Sequence, residues 1–189
     1  DVYTPAQSKT CVFHDFASTP SFISIERANQ FANALRLRLN AKNGNNIERF
    51  QFAHFHIHPD AFRIISSALF ETGIKDLSFV DYKSRSFLDN NNNIISPINF
   101  SNLPNNTTLK ALTLFIRSSS FTYYTDLIDA LKENKTLETI SLIIVEKAVN
   151  TVVPLLKKIM CTHVSLLEVR LYSDFHLLHN EGICIETEL

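Results

Sequence analysis

The chain repeats a six-residue frame, apolar-x-x-apolar-x-apolar. It reads Ile47-x-x-Phe50-x-Phe52, Ile74-x-x-Leu77-x-Phe79, Leu109-x-x-Leu112-x-Leu114, Leu137-x-x-Ile140-x-Leu142 and Leu166-x-x-Val169-x-Leu171. Successive frames start 27, 35, 28 and 29 residues apart. A near-constant period in the twenties implies stacked supersecondary units, none of which buries its apolar face alone. A weaker frame, Ser8-x-x-Cys11-x-Phe13, precedes the series. It reads as an irregular first unit, since terminal repeats are usually atypical.

Each unit divides into a strand and a helix. Leu112 and Leu114 alternate with Ala111 and Thr113, which is strand periodicity. Tyr124, Leu127, Ile128 and Leu131 follow at spacings of three and four, which is one face of a helix, and Asn134 ends it. The next unit repeats the order, with Val152, Val153, Leu156 and Met160 on its helix. Pro154 is best tolerated in a first turn, so that helix is expected to start near Val152. Pro59 and Asp60 open an earlier helix that turns Phe62, Ile65 and Leu69 inward and closes at Gly73. Ile25, Ala28, Ala32, Leu35 and Leu39 stripe a longer one. Strand then helix, repeated, requires a parallel sheet with helices against it. The run Asn90–Asn93 in the longest repeat reads as a looped-out insertion.

With Leu131-Lys132-Glu133-Asn134-Lys135-Thr136-Leu137-Glu138-Thr139-Ile140-Ser141-Leu142 as the best match and Leu109-Lys110-Ala111-Leu112-Thr113-Leu114 as a second, the units resemble leucine-rich repeats of the longer, ribonuclease-inhibitor-like kind. The resemblance implies an α/β leucine-rich repeat solenoid with a curved parallel sheet inside and helices outside. It implies one domain over 1–189, with an irregular capping unit at 1–46, repeats at 47–172 and a C-terminal cap at 173–189. The family usually carries Asn at the ninth frame position. This chain has Phe55, Tyr82, Arg117, Val145 and Asp174 there. The Asn ladder is therefore expected to be absent and the turns to be held by packing. Such proteins usually bind and rarely catalyse, so the resemblance implies non-enzymatic protein recognition, as an adaptor or a microbial effector.

Strand alternation names the binding residues. Frame positions 1, 4 and 6 face the core, and positions 3, 5 and 7 face the other way. Position 3 holds Arg49, Asp76, Ala111, Thr139 and Glu168; position 5 holds Gln51, Ser78, Thr113, Ser141 and Arg170. Position 7 holds Ala53, Val80, Phe115, Ile143 and Tyr172. The expectation is an exposed apolar stripe, Val80-Phe115-Ile143-Tyr172, that grips a protein partner. Arg49, Gln51, Asp76, Glu168 and Arg170 would border it. The plainer alternatives are a stripe covered by the chain's own end, such as Gly182-Ile183-Cys184-Ile185, or simple strand preference.

Composition removes other classes. A formal net charge of -1 gives no global field for nucleic acid or anionic lipid. No apolar run approaches the ~18 residues of a membrane-spanning helix. Asp1–Pro5 does not read as a signal peptide. Cys11, Cys161 and Cys184 share no metal-ligand spacing, so reduced thiols and a cytoplasmic location are expected. No phosphate loop, serine elbow or Cys-x-x-Cys occurs, and no cofactor is expected. The main rival is a metal-dependent hydrolase built on His54, His56 and His58, which alternate on an extended segment. A third reading is a structural domain of a longer protein. Arg117 is the one candidate for a GTPase-activating role, and Lys157-Lys158 reads as a solvated pair. Glu186-Thr187-Glu188-Leu189 fits the carboxyl-terminal pattern that PDZ domains capture. Asn99-Phe100-Ser101, Asn106-Thr107-Thr108 and Asn134-Lys135-Thr136 match the glycosylation acceptor pattern.

Overall fold

The computed structural model describes residues 2–3, 10–14, 24–39, 47–53, 59–81, 98–116, 121–144 and 146–173. Its strands are β1 (Val2–Tyr3), β2 (Thr10–His14), β3 (Arg49–Ala53), β4 (Asp76–Asp81), β5 (Ala111–Ile116), β6 (Thr139–Ile144) and β7 (Glu168–Ser173). Its helices are α1 (Ile25–Leu39), α2 (Pro59–Phe70), α3 (Phe121–Glu133) and α4 (Glu146–Thr162). The strands form one sheet in sequence order. β1 joins β2 antiparallel, and β2 to β7 are all parallel. The protein is therefore α/β, with six parallel strands connected by helices wherever a helix is described.

The repeated frame sets the register. Cys11, Phe50, Leu77, Leu112, Ile140 and Val169 lie in one row across six strands. All are buried. The weak first frame is thus a true strand in register with the others. Positions 4 and 6 of every later frame enter a single apolar core with Phe62 and Ile65 of α2, Leu127 and Leu131 of α3, and Leu156 and Ile159 of α4. The helices therefore cover the same face of the sheet. Ser24 starts α1 by accepting the Arg27 N–H on its hydroxyl at 3.3 Å, the usual work of an N-cap. Between β4 and β5 the turn-rich segment 98–108 fills the core with Ile98, Phe100 and Leu103. Asn90–Asn93 lies outside the described residues.

A chain of aromatic rings runs through the core across the units. Phe62 meets Phe52 at 5.9 Å and Phe79 at 5.5 Å, and Phe70 links Phe79 to Phe100. Phe100 then meets Tyr123 at 5.8 Å, and Tyr123 meets Tyr124 at 5.0 Å. The Tyr124 hydroxyl donates to the Ile143 carbonyl at 3.4 Å. The Tyr123 hydroxyl is buried without a partner, and burial pushes its pKa well up. A buried hydroxyl with no bond is a net cost. Tyr123→Phe is accordingly expected to raise stability by about 1 kcal/mol, seen as a higher urea midpoint. A loss of stability would mean that the hydroxyl has a partner.

Two sequence expectations need correction. The first concerns α4, which starts at Glu146, not near Val152, and carries Pro154 in its interior. Ala148 and Val152 are both buried and tie the early turns to the core. Pro154 is exposed, so its ring meets solvent, and the cost of its missing N–H is outweighed by that packing.

The second correction concerns the ladder. The turns between units are joined by a row of polar side chains, set three residues before the frame and not at its ninth position. Asn106, Asn134 and His163 occupy that place in successive units. The Asn134 amide donates to the carbonyls of Leu103 (2.7 Å) and Asn106 (3.1 Å) in the preceding turn. Its Oδ1 accepts the N–H groups of Thr136 (3.0 Å) and Leu137 (2.8 Å) in its own turn. Asn106 repeats this, donating to Phe70 O at 2.6 Å and accepting from Thr108 and Leu109 at 2.9 and 2.7 Å. His163 accepts on Nδ1 from Ser165 (3.2 Å) and Leu166 (2.9 Å). Two residues on, the hydroxyls of Thr108, Thr136 and Ser165 each donate back to a carbonyl of the preceding unit. The segments Asn106-Thr107-Thr108 and Asn134-Lys135-Thr136 are thus turn closures. Their amide nitrogens are buried in backbone bonds and closed to a glycan in the folded chain.

Candidate binding face

The face of the sheet opposite the helices carries the columns that the frame names. The ladder aligns Arg49, Asp76, Ala111, Thr139 and Glu168 in one row, and Gln51, Ser78, Thr113, Ser141 and Arg170 in the next. β2 extends these rows with Thr10 and Val12, two positions the sequence reading left out because their frame is weak. In the third row, Val80 pairs with Phe115 and Ile143 with Tyr172.

Charge sits at the two ends of the face. On β3 and β4, Arg49 and Asp76 pair at 3.4 Å. Burial raises the Asp76 carboxyl above its ordinary pKa, and the Arg49 charge partly offsets this. At the other end, Arg170 grips Glu168 along β7 with two bonds, 2.6 and 3.0 Å. Between them stand Ala111, Thr113, Thr139 and Ser141, which are small and uncharged. Both ion pairs are largely solvated, so each adds little stability.

The third row differs from expectation. Val80 is 7% exposed and Ile143 is 0% exposed, so neither offers surface to a partner. Phe115 and Tyr172 are half-buried. Their rings meet edge to face at 5.0 Å, although β5 and β7 are separated by β6. Neighbouring strands lie about 4.8 Å apart, so side chains two strands apart must lean together to touch. They close over the intervening strand, and Ile143 on it is buried. Val80 and Ile143 lie outside the main core cluster, as side chains on the opposite face must. What this row presents is therefore an aromatic pair, not a stripe of four. Ala53 has its backbone on β3, and its side chain lies outside the described residues.

Other sequence candidates fall elsewhere. His54, His56, His58 and Arg117 lie outside the described residues, as do Gly182–Ile185 and Glu186–Leu189. Among the described residues, no three His, Cys, Asp or Glu side chains are grouped to hold a metal ion. Lys157 and Lys158 are exposed on α4. On the helix side, a pocket beside segment 98–104 brings Arg63 near Asp126 and Asp129. Burial raises the Asp126 carboxyl, Arg63 lowers it and Asp129 raises it further. No helix among the described residues is long and apolar enough to cross a membrane. The protein is of the α/β class, defined by its parallel sheet. Comparison with known proteins finds no matching family model, no matching curated protein and no matching solved structure.

Proposed function

We propose that this chain is a solenoid of the leucine-rich repeat kind that recognises a protein partner on the sheet face opposite its helices, without catalysing a reaction. The strictly sequential strand order and the recurring polar link at Asn106, Asn134 and His163 favour stacked repeats over a single wound sheet. The observation that carries the binding reading is the Phe115–Tyr172 pair, held half-exposed in edge-to-face contact on a face otherwise lined by small polar groups and ion pairs. Half-buried aromatic residues inside a polar rim are what interface anchors look like before a partner arrives. Arg49, Gln51, Asp76, Glu168 and Arg170 form that rim, and Val80 and Ile143 are buried in the same row as the pair. Cys161 is a free, exposed thiol, which suits an adaptor or effector of a reducing compartment such as the cytoplasm.

The test is affinity capture from eukaryotic lysate with the wild-type chain and with two variants checked for folding by circular dichroism. One is the double variant Phe115→Asp with Tyr172→Asp. The other, Arg49→Glu with Arg170→Glu, alters the rim alone. A protein held by the wild type, lost by the first variant and weakened by the second is the expected result. Identical capture by all three would overturn the reading.

A further inference from the structure

His163 stands where Asn106 and Asn134 stand in the two preceding units, yet it alone of the three can take up a proton near neutral pH. Its Nδ1 accepts two backbone N–H groups, from Ser165 and Leu166. A nitrogen that accepts two bonds carries no hydrogen, so the neutral ring holds its proton on Nε2. That edge is buried and faces the carbonyls of Leu131 and Asn134. These are the counterparts of Leu103 and Asn106, which the Asn134 amide reaches. An amide directs two hydrogens at two carbonyls; imidazole has one, and here it forms no bond of ordinary geometry with either. The ring therefore completes half of the link. Its other half, the two accepted bonds, depends on Nδ1 staying unprotonated.

We propose that His163 is a pH-sensitive joint, in which protonation at Nδ1 sets a third N–H against those of Ser165 and Leu166 and loosens the turn that leads into β7. Charged groups on the surrounding elements do not oppose this. At the end of α3, Lys132 is paired with Asp129 at 2.6 Å, and Glu133 and Lys135 are exposed. Before β6, Glu138 is held by Lys110 at 2.7 Å. Lys157 and Lys158 of α4 and Glu168 of β7 complete the set; the two lysines are exposed and Glu168 is taken by Arg170. None of these bonds the ring, so no carboxylate stabilises an imidazolium there. Burial lowers the ring's pKa from the ordinary 6.5, with the two facing carbonyls acting weakly the other way.

The sign follows from linkage. The unfolded chain takes up a proton near pH 6.5, before the folded chain does. Stability from this group is full above that pH and is lost as pH falls toward the lower folded value. One proton bound by the unfolded chain alone changes the folding constant by up to about tenfold per pH unit. β7 also carries Glu168, Arg170 and Tyr172, so the same proton acts on one end of the candidate binding face.

The decisive comparison is between wild type and His163→Asn, which restores the residue found at the other two links. Amide exchange at Leu166, corrected for intrinsic rate, is followed together with the unfolding midpoint from about pH 7.5 to about pH 5, the window in which histidine titrates. The wild type is expected to lose protection on acidification by up to about tenfold per pH unit more than the variant. Parallel profiles would overturn the proposal, because the remaining histidines are common to both. Nitrogen shifts of the His163 ring in the wild type give a check that does not depend on the variant folding. A ring protonated on Nδ1 at neutral pH, or one that titrates without any change at Leu166, would overturn it equally.

Discussion

Asn134→Ala is expected to destabilise the folded chain by about 3–5 kcal/mol, read from the urea or thermal unfolding midpoint. The side chain is 2% exposed and makes four bonds to backbone, two to the preceding turn and two within its own. Its removal orphans the N–H groups of Thr136 and Leu137, while the Leu103 and Asn106 carbonyls each keep one bond, from the Asn106 N–H and the Thr136 hydroxyl, and each unsatisfied buried group costs about 1–3 kcal/mol before relaxation. Some of that is regained where the turn shifts or water enters, which sets the lower bound. Asn106→Ala should behave alike. Asn99→Ala should not: Asn99 is half-buried and its Oδ1 accepts one N–H, from Ser101. Asn134→Asp keeps the accepting half and turns a carboxylate toward two carbonyls. Its carboxyl pKa should rise, so this variant alone should regain stability as pH falls. A cost near that of Asn99→Ala would mean that the turns are held by packing after all.

That link is present in the sequence, away from the position where the leucine-rich repeat pattern places it. The ninth frame position, held by Phe55, Tyr82, Arg117, Val145 and Asp174, offers no repeated amide. The signal lay three residues before the frame, as Asn106-x-Thr108-Leu109, Asn134-x-Thr136-Leu137 and His163-x-Ser165-Leu166. Two of the three instances also match the glycosylation acceptor pattern, and the third carries His in place of Asn. Register, by contrast, was legible to the residue, because a strand with one buried face cannot slip by one position without turning its apolar side chains outward. Even the weak frame at Cys11 and Phe13 pairs with Phe50 and Phe52 as spacing implies. The start of α4 is not legible from Pro154, a local helix breaker, because Ala148 and Val152 anchor the earlier turns in a core that sequence windows do not see. Exposure in the third row was also beyond periodicity. Alternation tells which face a side chain takes, but the contact of Phe115 with Tyr172 across β6 is tertiary.

Ile143→Asp and Phe115→Asp should separate sharply, although the two residues stand on adjacent strands and the same face. Ile143 is 0% exposed, so an aspartate there is buried without a cation and should cost at least about 4 kcal/mol or prevent folding. Phe115 is half-buried, and its aspartate reaches solvent. It forfeits an edge-to-face contact worth about 0.5–1.5 kcal/mol and part of the cover over Ile143, so a total near 2 kcal/mol is expected. Tyr172→Asp should resemble Phe115→Asp, and the double variant should cost less than the two singles summed, since both remove one shared contact. Ile143→Val is the mild control, with a loss of about 1 kcal/mol. Equal tolerance at positions 143 and 115 would mean that the ring pair does not close over β6 in solution. Unfolding by Phe115→Asp alone would make the aromatic pair a structural element of the sheet and leave the binding face without its anchor.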